Sequence, residues 1–72
     1  MAIVKIIYPQ IVFETKELEV TEDQKEEIGN FCEEEKVDFI WNNLDDLEKN
    51  WIPDDKKGLE SAVDCDYAKI KL

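Results

Sequence analysis

The chain contains no histidine and no arginine, and each absence excludes a kind of chemistry. Without histidine, the protein lacks the usual general base at neutral pH and the usual ligand of transition metals. Without arginine, it lacks the planar side chain that binds a phosphate through two parallel hydrogen bonds. A cysteine without histidine, or a pair of carboxylates in so short a chain, is weak support for catalysis. We therefore predict that the protein is not an enzyme and uses no cofactor.

Cysteine is scarce as well, since the chain has only Cys32 and Cys65. They form neither a CxxC pair nor a metal-binding spacing, and two thiols alone do not indicate the disulfide framework of a secreted protein. The sequence predicts two reduced cysteines in the core. The clusters of aspartate and glutamate do not match a calcium-binding loop, so we also predict no specific metal site.

Long apolar runs are missing, which excludes a membrane-spanning helix of ordinary length. The most apolar stretch, residues 1–10, is too short to cross a bilayer and lacks the cleavage site of a signal peptide. These features predict a cytoplasmic protein that does not contact membranes.

The chain does contain enough apolar material for a small folded domain. Its 72 residues predict a single domain over residues 1–72, in a size range where one hydrophobic core is marginal. A hydrophobic fraction of 43% and seven aromatic residues exceed what a disordered acidic tail carries.

Negative charge is the strongest signal in the sequence. The net charge is −10, and residues 14–38 carry 11 acids against three lysines, which contributes −8 of it. Such an excess opposes compaction by self-repulsion but steers the molecule toward basic partners. Nucleic acid and anionic membranes are therefore unfavourable partners, and we predict no direct binding to nucleic acid.

The first 20 residues predict a β-hairpin. Residues 2–8 are rich in β-branched and aromatic side chains, stop at Pro9, and look buried on both faces apart from Lys5. Residues 11–20 begin as an apolar run and then alternate, which fits a second strand beside the first.

Two helices are predicted after the hairpin. Thr21 and Gln24 form the sequence signature of a capping box at the start of the first helix, and Gly29 lies inside that helix. The apolar phase then shifts, which predicts a kink or break within residues 34–38. The second helix ends at Pro53. Its apolar stripe consists of Val37, Ile40, Trp41, Leu44, Leu47 and Trp51.

Residues 53–58 predict a turn, and residues 59–72 predict a last strand with a buried Cys65 between solvent-facing Asp64 and Asp66. The resulting β-β-α-α-β order predicts an α+β domain, with a small antiparallel sheet of about three strands packed on one or two helices. The exposed edges of such a sheet favour pairing with a second copy, so a homodimer is expected.

The acidic helix surface is the main candidate for function. Carboxylates three or four residues apart on a helix lie about 5–6 Å from each other, a spacing of the same order as that of phosphates along a DNA strand. Two rows of acids on the first helix would imitate a phosphate track, whereas the alternative is a solvated surface that only keeps the protein soluble. The candidate partner-binding residues are Glu22, Asp23, Glu26, Glu27, Glu33, Glu34, Asp38 and Asp45.

In size, acidity and lack of catalytic residues, the chain resembles the small acidic host-takeover proteins of bacteriophages. That group includes DNA mimics that act on restriction enzymes, CRISPR effectors, sliding clamps and the HU-type nucleoid protein. The resemblance implies an inhibitor that works in the cytoplasm of the host cell and binds a basic DNA-binding protein there. Because the resemblance lies in composition and matches no motif, it assigns no role to any single residue.

A second hypothesis is a protein-interaction adaptor whose acidity serves only solubility. Aromatic residues at helical spacing are more often core than interface, but an exposed tryptophan is a frequent anchor for a partner. Phe39 lies off the apolar stripe, so it either bridges the two helices or is exposed. An adaptor would bind through Phe39, Trp51 or a free strand edge, and its affinity would depend little on salt.

Overall fold

A computed structural model describes residues 2–10 and 12–72 of the chain. These residues form a three-stranded antiparallel sheet and four helices, which confirms the predicted α+β class. The second predicted helix is divided into two, and a further helix occupies part of the predicted C-terminal strand. In chain order, the elements are β1 (Ala2–Tyr8), β2 (Glu14–Val20), α1 (Glu22–Gly29), α2 (Glu33–Asn42), α3 (Asp46–Asn50), α4 (Asp55–Asp64) and β3 (Lys69–Lys71).

The sheet has β1 at its centre, in the order β2-β1-β3. The predicted hairpin is confirmed, because β1 and β2 pair along their whole length, from Ala2 opposite Val20 to Tyr8 opposite Glu14. The short β3 pairs with the other side of β1. Ile11, which the prediction included in the second strand, lies outside the described residues.

Only one face of β1 is buried, so the prediction of two buried faces is wrong. Val4 and Ile6 are fully covered, whereas Ile3 is 50% exposed and Lys5 is exposed. The helices cover one face of the sheet and leave the opposite face open. Alternation along an antiparallel strand commonly separates a core face from a solvent face in this way.

The predicted capping box starts α1. The Thr21 Oγ1 accepts the backbone N–H of Gln24 at 3.1 Å, and the Gln24 Oε1 accepts the backbone N–H of Thr21 at 2.9 Å. These two bonds satisfy N–H groups that the first turn of a helix leaves without partners, which stabilises the helix by about 1 kcal/mol.

The first helix ends earlier than predicted. Gly29 is the last residue of α1 and lies against the side chain of Leu72, so its small size accommodates a side chain rather than another backbone. The break falls at residues 30–32 and not at 34–38. Cys32 is the residue before α2, and its backbone N–H donates to the carboxylate of Glu35. Because it lies at this junction, Cys32 is exposed, and its predicted place in the core is wrong.

The predicted apolar stripe is buried only in its first part. Val37, Ile40 and Leu44 belong to the core. The helix then ends at Asn42, and α3 starts separately at Asp46; Leu47 is 68% exposed and Trp51 is 54% exposed. The prediction of a single helix up to Pro53 is therefore wrong. Leu47 lies outside the core, and Trp51, whose exposure the sequence left open, is exposed.

The core consists of two clusters that share three side chains. The cluster around β1, α2 and α4 includes the fully buried Ile6, Ile40 and Leu59. A smaller cluster joins the start of the sheet to α1. The side chains packed against both clusters are Leu18, Phe39 and Ile70. Phe39 therefore bridges the two core clusters, and of the two positions that the sequence left open, bridging or exposed, it occupies the bridging one.

Helix α4 replaces the first half of the predicted last strand. Leu59, Ala62 and Val63 are buried, a spacing that places all three on one side of a helix. The helix ends where Asp66 adopts a left-handed φ of 61° and the Ala62 carbonyl accepts the N–H groups of the next two residues. The predicted burial of Cys65 is wrong, because Cys65 lies at this exposed helix end.

The start of α4 explains why residue 58 is a glycine. Asp54 and Asp55 have left-handed φ values of 60° and 53°, which fold the chain sharply after Pro53. In this arrangement a Cβ on Gly58 would clash with the carbonyl oxygen of Pro53. The predicted turn over residues 53–58 is thus restricted to its beginning, and α4 starts within it.

Glu48 connects α3 to the sheet. Its carboxylate accepts the hydroxyl of Tyr8 and the Nζ of Lys16, both at 2.8 Å, and also the backbone N–H of Asp45 at 2.9 Å. Burial alone would raise the pKa of Glu48, but the hydrogen bonds from Asp45, Lys16 and Tyr8 outweigh it and lower the pKa from 4.5 to about 2. The pKa of Tyr8 is raised above its ordinary value, mainly by burial and next by the hydrogen bond to Glu48. The network therefore depends on an ionised Glu48.

Candidate protein-binding surface

The four acids of α1 form one exposed surface, which we call the α1 acidic face: Glu22, Asp23, Glu26 and Glu27. Glu22 and Glu26 are one helical turn apart, and so are Asp23 and Glu27. Neighbours of this kind lie about 5–6 Å from each other. The opposite side of the helix packs on the sheet through the buried Ile28.

The α1 acidic face is not neutralised by lysine. Within residues 2–10 and 12–72, the ion pairs are Lys5–Glu17 at 3.7 Å, Lys16–Glu48 at 2.8 Å and Lys56–Asp38 at 2.8 Å. None of them includes an acid of α1. Like charges one turn apart destabilise a helix by a few tenths of a kcal/mol for each pair. The fold thus accepts this repulsion with Lys25 as the only cationic side chain on α1.

Glu33 and Glu34 do not continue the rows of α1, which corrects the prediction of two rows on one helix. They lie in the first turn of α2, beyond the break at residues 30–32. At this position their negative charges interact favourably with the positive end of the α2 dipole. The predicted rows of acids are therefore divided between two helices.

A groove of about 200 Å³ between α2 and α4 collects a second group of acids. Glu33, Glu34 and Asp38 line it from α2, and Glu60 lines it from α4. The sequence prediction missed Glu60 because it assigned residues 59–72 to a strand. The helical spacing of the apolar residues around Glu60 is the signal that would have placed it correctly.

Lys56 partly neutralises this second group. Its Nζ lies 2.8 Å from Asp38 Oδ1, and that hydrogen bond raises the pKa of Lys56, with further contributions from the charges of Asp38, Glu60 and Glu34. Asp38 is therefore engaged within the protein, unlike the carboxylates of α1.

Asp45 also has a structural task. Its Oδ1 accepts the backbone N–H of Glu48 at 2.8 Å and so caps the start of α3. The side chain remains exposed. It lies at the start of α3, however, and not on the helix that carries the α1 acidic face. The eight predicted residues thus form one compact group on α1, one on α2, and the isolated Asp45.

An apolar groove of about 320 Å³ borders the α1 acidic face. Its apolar lining is Leu18, Val20, Ile28, Phe31 and Phe39. The rings of the two phenylalanines pack edge to face with centroids 5.8 Å apart. Glu27 also lines the groove, so apolar walls and negative charge meet at one place.

Leu47 and Trp51 form a separate exposed apolar patch at α3. They are four residues apart and both more than half exposed. Trp41, by contrast, is partly buried against the core, and the Nζ of Lys49 lies 5.2 Å from the centroid of its ring. The two tryptophans therefore differ, and only Trp51 is available as an anchor of the kind that an adaptor requires.

In the described part of the chain, no group of three or more carboxylate or thiol side chains is arranged to hold a metal ion. None of the helices in that same part is long and apolar enough to cross a membrane. Comparison with protein-family models, curated proteins and solved structures returns no match.

Proposed function

We propose that this protein is a DNA-mimicking inhibitor that occupies the DNA-binding surface of a basic host protein and blocks DNA binding. The observation that carries the proposal is the α1 acidic face, with four exposed carboxylates and no ion pair to any of them among the described residues. A surface built only for solubility would be served equally well by alternating glutamate and lysine.

In this proposal, the carboxylates of α1 replace phosphates at the surface of the target. Glu33 and Glu34 extend the contact onto α2, whereas Asp38 and Asp45 contribute through their charge while engaged within the protein. Targets of suitable chemistry include an HU-type nucleoid protein and a sliding clamp, because both present lysine and arginine to DNA. The chain's own role is binding rather than catalysis.

The apolar groove beside α1 suits the same kind of target. Lysine and arginine carry an apolar stem and a charged head, and they tend to bury the stem along an apolar surface. The walls formed by Phe31 and Phe39 would receive the stem, and Glu27 would meet the head. Such a contact adds affinity that a purely charged surface lacks.

A competition assay tests the proposal. The protein is titrated into a complex of labelled duplex DNA with an HU-type protein, and in a second series with a loaded sliding clamp. We expect stoichiometric release of DNA, with an apparent affinity that falls at least tenfold between about 50 mM and about 200 mM salt, because exposed charge contacts are screened. No release from either complex at low salt would contradict these two targets.

The second candidate function is the adaptor, and the exposed Leu47 and Trp51 favour it. Tryptophan is enriched among the residues that dominate binding energy at interfaces. For an adaptor, we expect the Trp51→Ala variant to lose at least about tenfold in affinity for a partner captured from lysate, with little dependence on salt. For the DNA mimic, the same variant should retain affinity within about threefold, since Trp51 lies outside α1 and α2.

A further inference from the structure

The open face of the sheet combines an apolar centre with separated charges. Ile3, Lys5 and Ile7 point outward from the central strand β1. Ile3 is half exposed, although the solvent face of a small antiparallel sheet is usually polar. Among the described residues, the helices do not contribute to this face, since the core lies on the opposite side of β1.

The charges on this face are sorted by strand. Glu17 and Glu19 lie on β2, along one side of the isoleucines, and Lys69 and Lys71 lie on β3, along the other side. Lys5 in the centre pairs with Glu17 at 3.7 Å. The open face therefore has a negative edge, an apolar middle and a positive edge.

Two exposed aromatic rings extend the apolar middle beyond the end of β1. Phe13 and Tyr67 are both more than half exposed, and their ring centroids are 6.0 Å apart. Phe13 lies directly before β2, and Tyr67 lies two residues before β3. Contact between them closes the gap between the two outer strands.

We propose that the open face of the sheet binds a second copy of this chain and forms a symmetric homodimer. The argument is charge complementarity. A two-fold axis parallel to β1 and lying between the two sheets brings β2 of each copy over β3 of the other. Glu17 then faces Lys71 of the second copy, because both residues are register partners of Lys5.

The alternative two-fold axis is disfavoured by the same charges. An axis in the plane of the interface but perpendicular to the strands would set β2 over β2 and glutamate over glutamate. With the axis parallel to β1, Ile3 and Ile7 lie near the axis, where each copy buries them against the other. Lys5 of each copy also lies near this axis, where its ion pair with Glu17 of its own chain limits repulsion between the two lysines. Apolar burial and the contacts between Glu17 and Lys71 favour this arrangement, with stacked sheets about 10 Å apart.

The size of the face predicts a weak dimer. With seven residues in β1, at about 3.3 Å each, the face is about 23 Å long, but β3 adds a third strand over only three residues. The face is therefore smaller than a standard specific interface. We expect dissociation in the micromolar range. The α1 acidic faces remain free, because α1 packs on the opposite side of β1.

Sedimentation equilibrium at increasing protein concentration tests the proposal through a pair of complementary variants. The unmodified protein should pass from the mass of one 8.5 kDa chain to twice that mass. Glu17→Lys and Lys71→Glu alone should each weaken the dimer at least tenfold, since each puts two like-charge contacts into the interface. An equimolar mixture of the two variants should recover a dimer within about threefold of the unmodified protein, because both contacts then pair opposite charges.

The mixture makes the result specific to this face. Pairing of strand edges would not be restored by mixing, and neither would a dimer formed elsewhere on the molecule. Glu26→Lys with Glu27→Lys, on α1, should leave the dimer unchanged, so this test is independent of the proposed inhibition. A monomer at all concentrations up to about 1 mM, or a dimer indifferent to Glu17→Lys, would overturn the proposal.

Discussion

Replacing both Glu26 and Glu27 with lysine should reduce binding to a basic DNA-binding protein by at least about 100-fold, or about 2.7 kcal/mol. Both residues belong to the α1 acidic face, and their reversal turns two attractive contacts into two repulsive ones. Single contacts between desolvated charges at interfaces are commonly worth about 2 kcal/mol or more, so the expected loss is conservative. The measurement is the concentration of protein that releases half of the labelled DNA.

The double variant should fold at least as well as the unmodified protein. In place of two repulsive pairs, α1 would carry two attractive ones, because Glu22 and Asp23 would each be followed by a lysine four residues later, in the favourable order of acid before base. The new lysines also lie near the end of α1, where positive charge is preferred. Loss of binding could then not be attributed to unfolding, which a circular dichroism melt would check.

A matched control separates the position of the charge from its amount. Glu14→Lys with Asp64→Lys changes the net charge by the same four units, from −10 to −6, at exposed sites away from α1. This control should keep affinity within about threefold at moderate salt, because distant exposed charges are screened. Equal losses in the two double variants would mean that only net charge matters, and the mimic hypothesis would fail.

The largest expected effect on stability is that of Glu48→Gln, at about 2–3 kcal/mol near neutral pH. The pKa of Glu48 is lowered from 4.5 to about 2, which corresponds to about 3 kcal/mol before allowance for solvent screening. The side chain is 21% exposed, so most of that value should remain. The glutamine amide would leave Lys16 without its counter-charge while preserving the size of the side chain.

The stability lost in Glu48→Gln should decrease as the pH falls. Because the pKa is lower in the folded protein, ionised Glu48 stabilises the fold fully above about pH 4.5, and this contribution disappears as the pH falls toward 2. The difference in unfolding free energy between the unmodified protein and Glu48→Gln should shrink over the same interval. The measurement is a denaturant titration of both proteins at several pH values. Subtracting one unfolding free energy from the other removes the effects of the other carboxylates, which both proteins share.

Glu14→Gln is the matched control for this experiment. Glu14 is opposite Tyr8 in the sheet register, but it is exposed and forms none of the ion pairs found among the described residues. Its replacement should change stability by less than about 0.5 kcal/mol. If both glutamine variants behaved alike, the hydrogen bonds to Tyr8, Lys16 and Asp45 would contribute little, contrary to the geometry.

Local signals in the sequence predict the parts of the fold that depend on chain neighbours. The hairpin follows from β-branched residues in β1 and alternation in β2, and the start of α1 follows from Thr21 and Gln24. Both signals concern residues that contact each other within one or two elements. Tertiary packing adds to these features but does not reverse them.

The C-terminal third shows where such signals fail. Val63, Cys65 and Tyr67 alternate as in a strand, whereas Leu59, Ala62 and Val63 recur as on a helix. A segment this short satisfies both periods. Packing of α4 against α2 decides the matter, because it buries the helical set in the core.

The candidate binding surface was predictable in part for the same reason. The four acids of α1 share a helix and are exposed as expected, since their relation depends only on helical geometry. Their relation to Glu33, Glu34 and Glu60 depends on the break at residues 30–32, which the shift in apolar phase located only approximately, and on α4, for which the local pattern is ambiguous.

Composition and short-range periodicity are enough to predict the α+β class, the hairpin, the capped first helix and the concentration of negative charge on it. Which faces of these elements remain uncovered depends on tertiary packing. Burial of Phe39, exposure of Trp51 and the open face around Ile3 each depend on whether a distant element packs there. A residue's hydrophobicity indicates its preference for burial, but the surface that covers it comes from elsewhere in the chain.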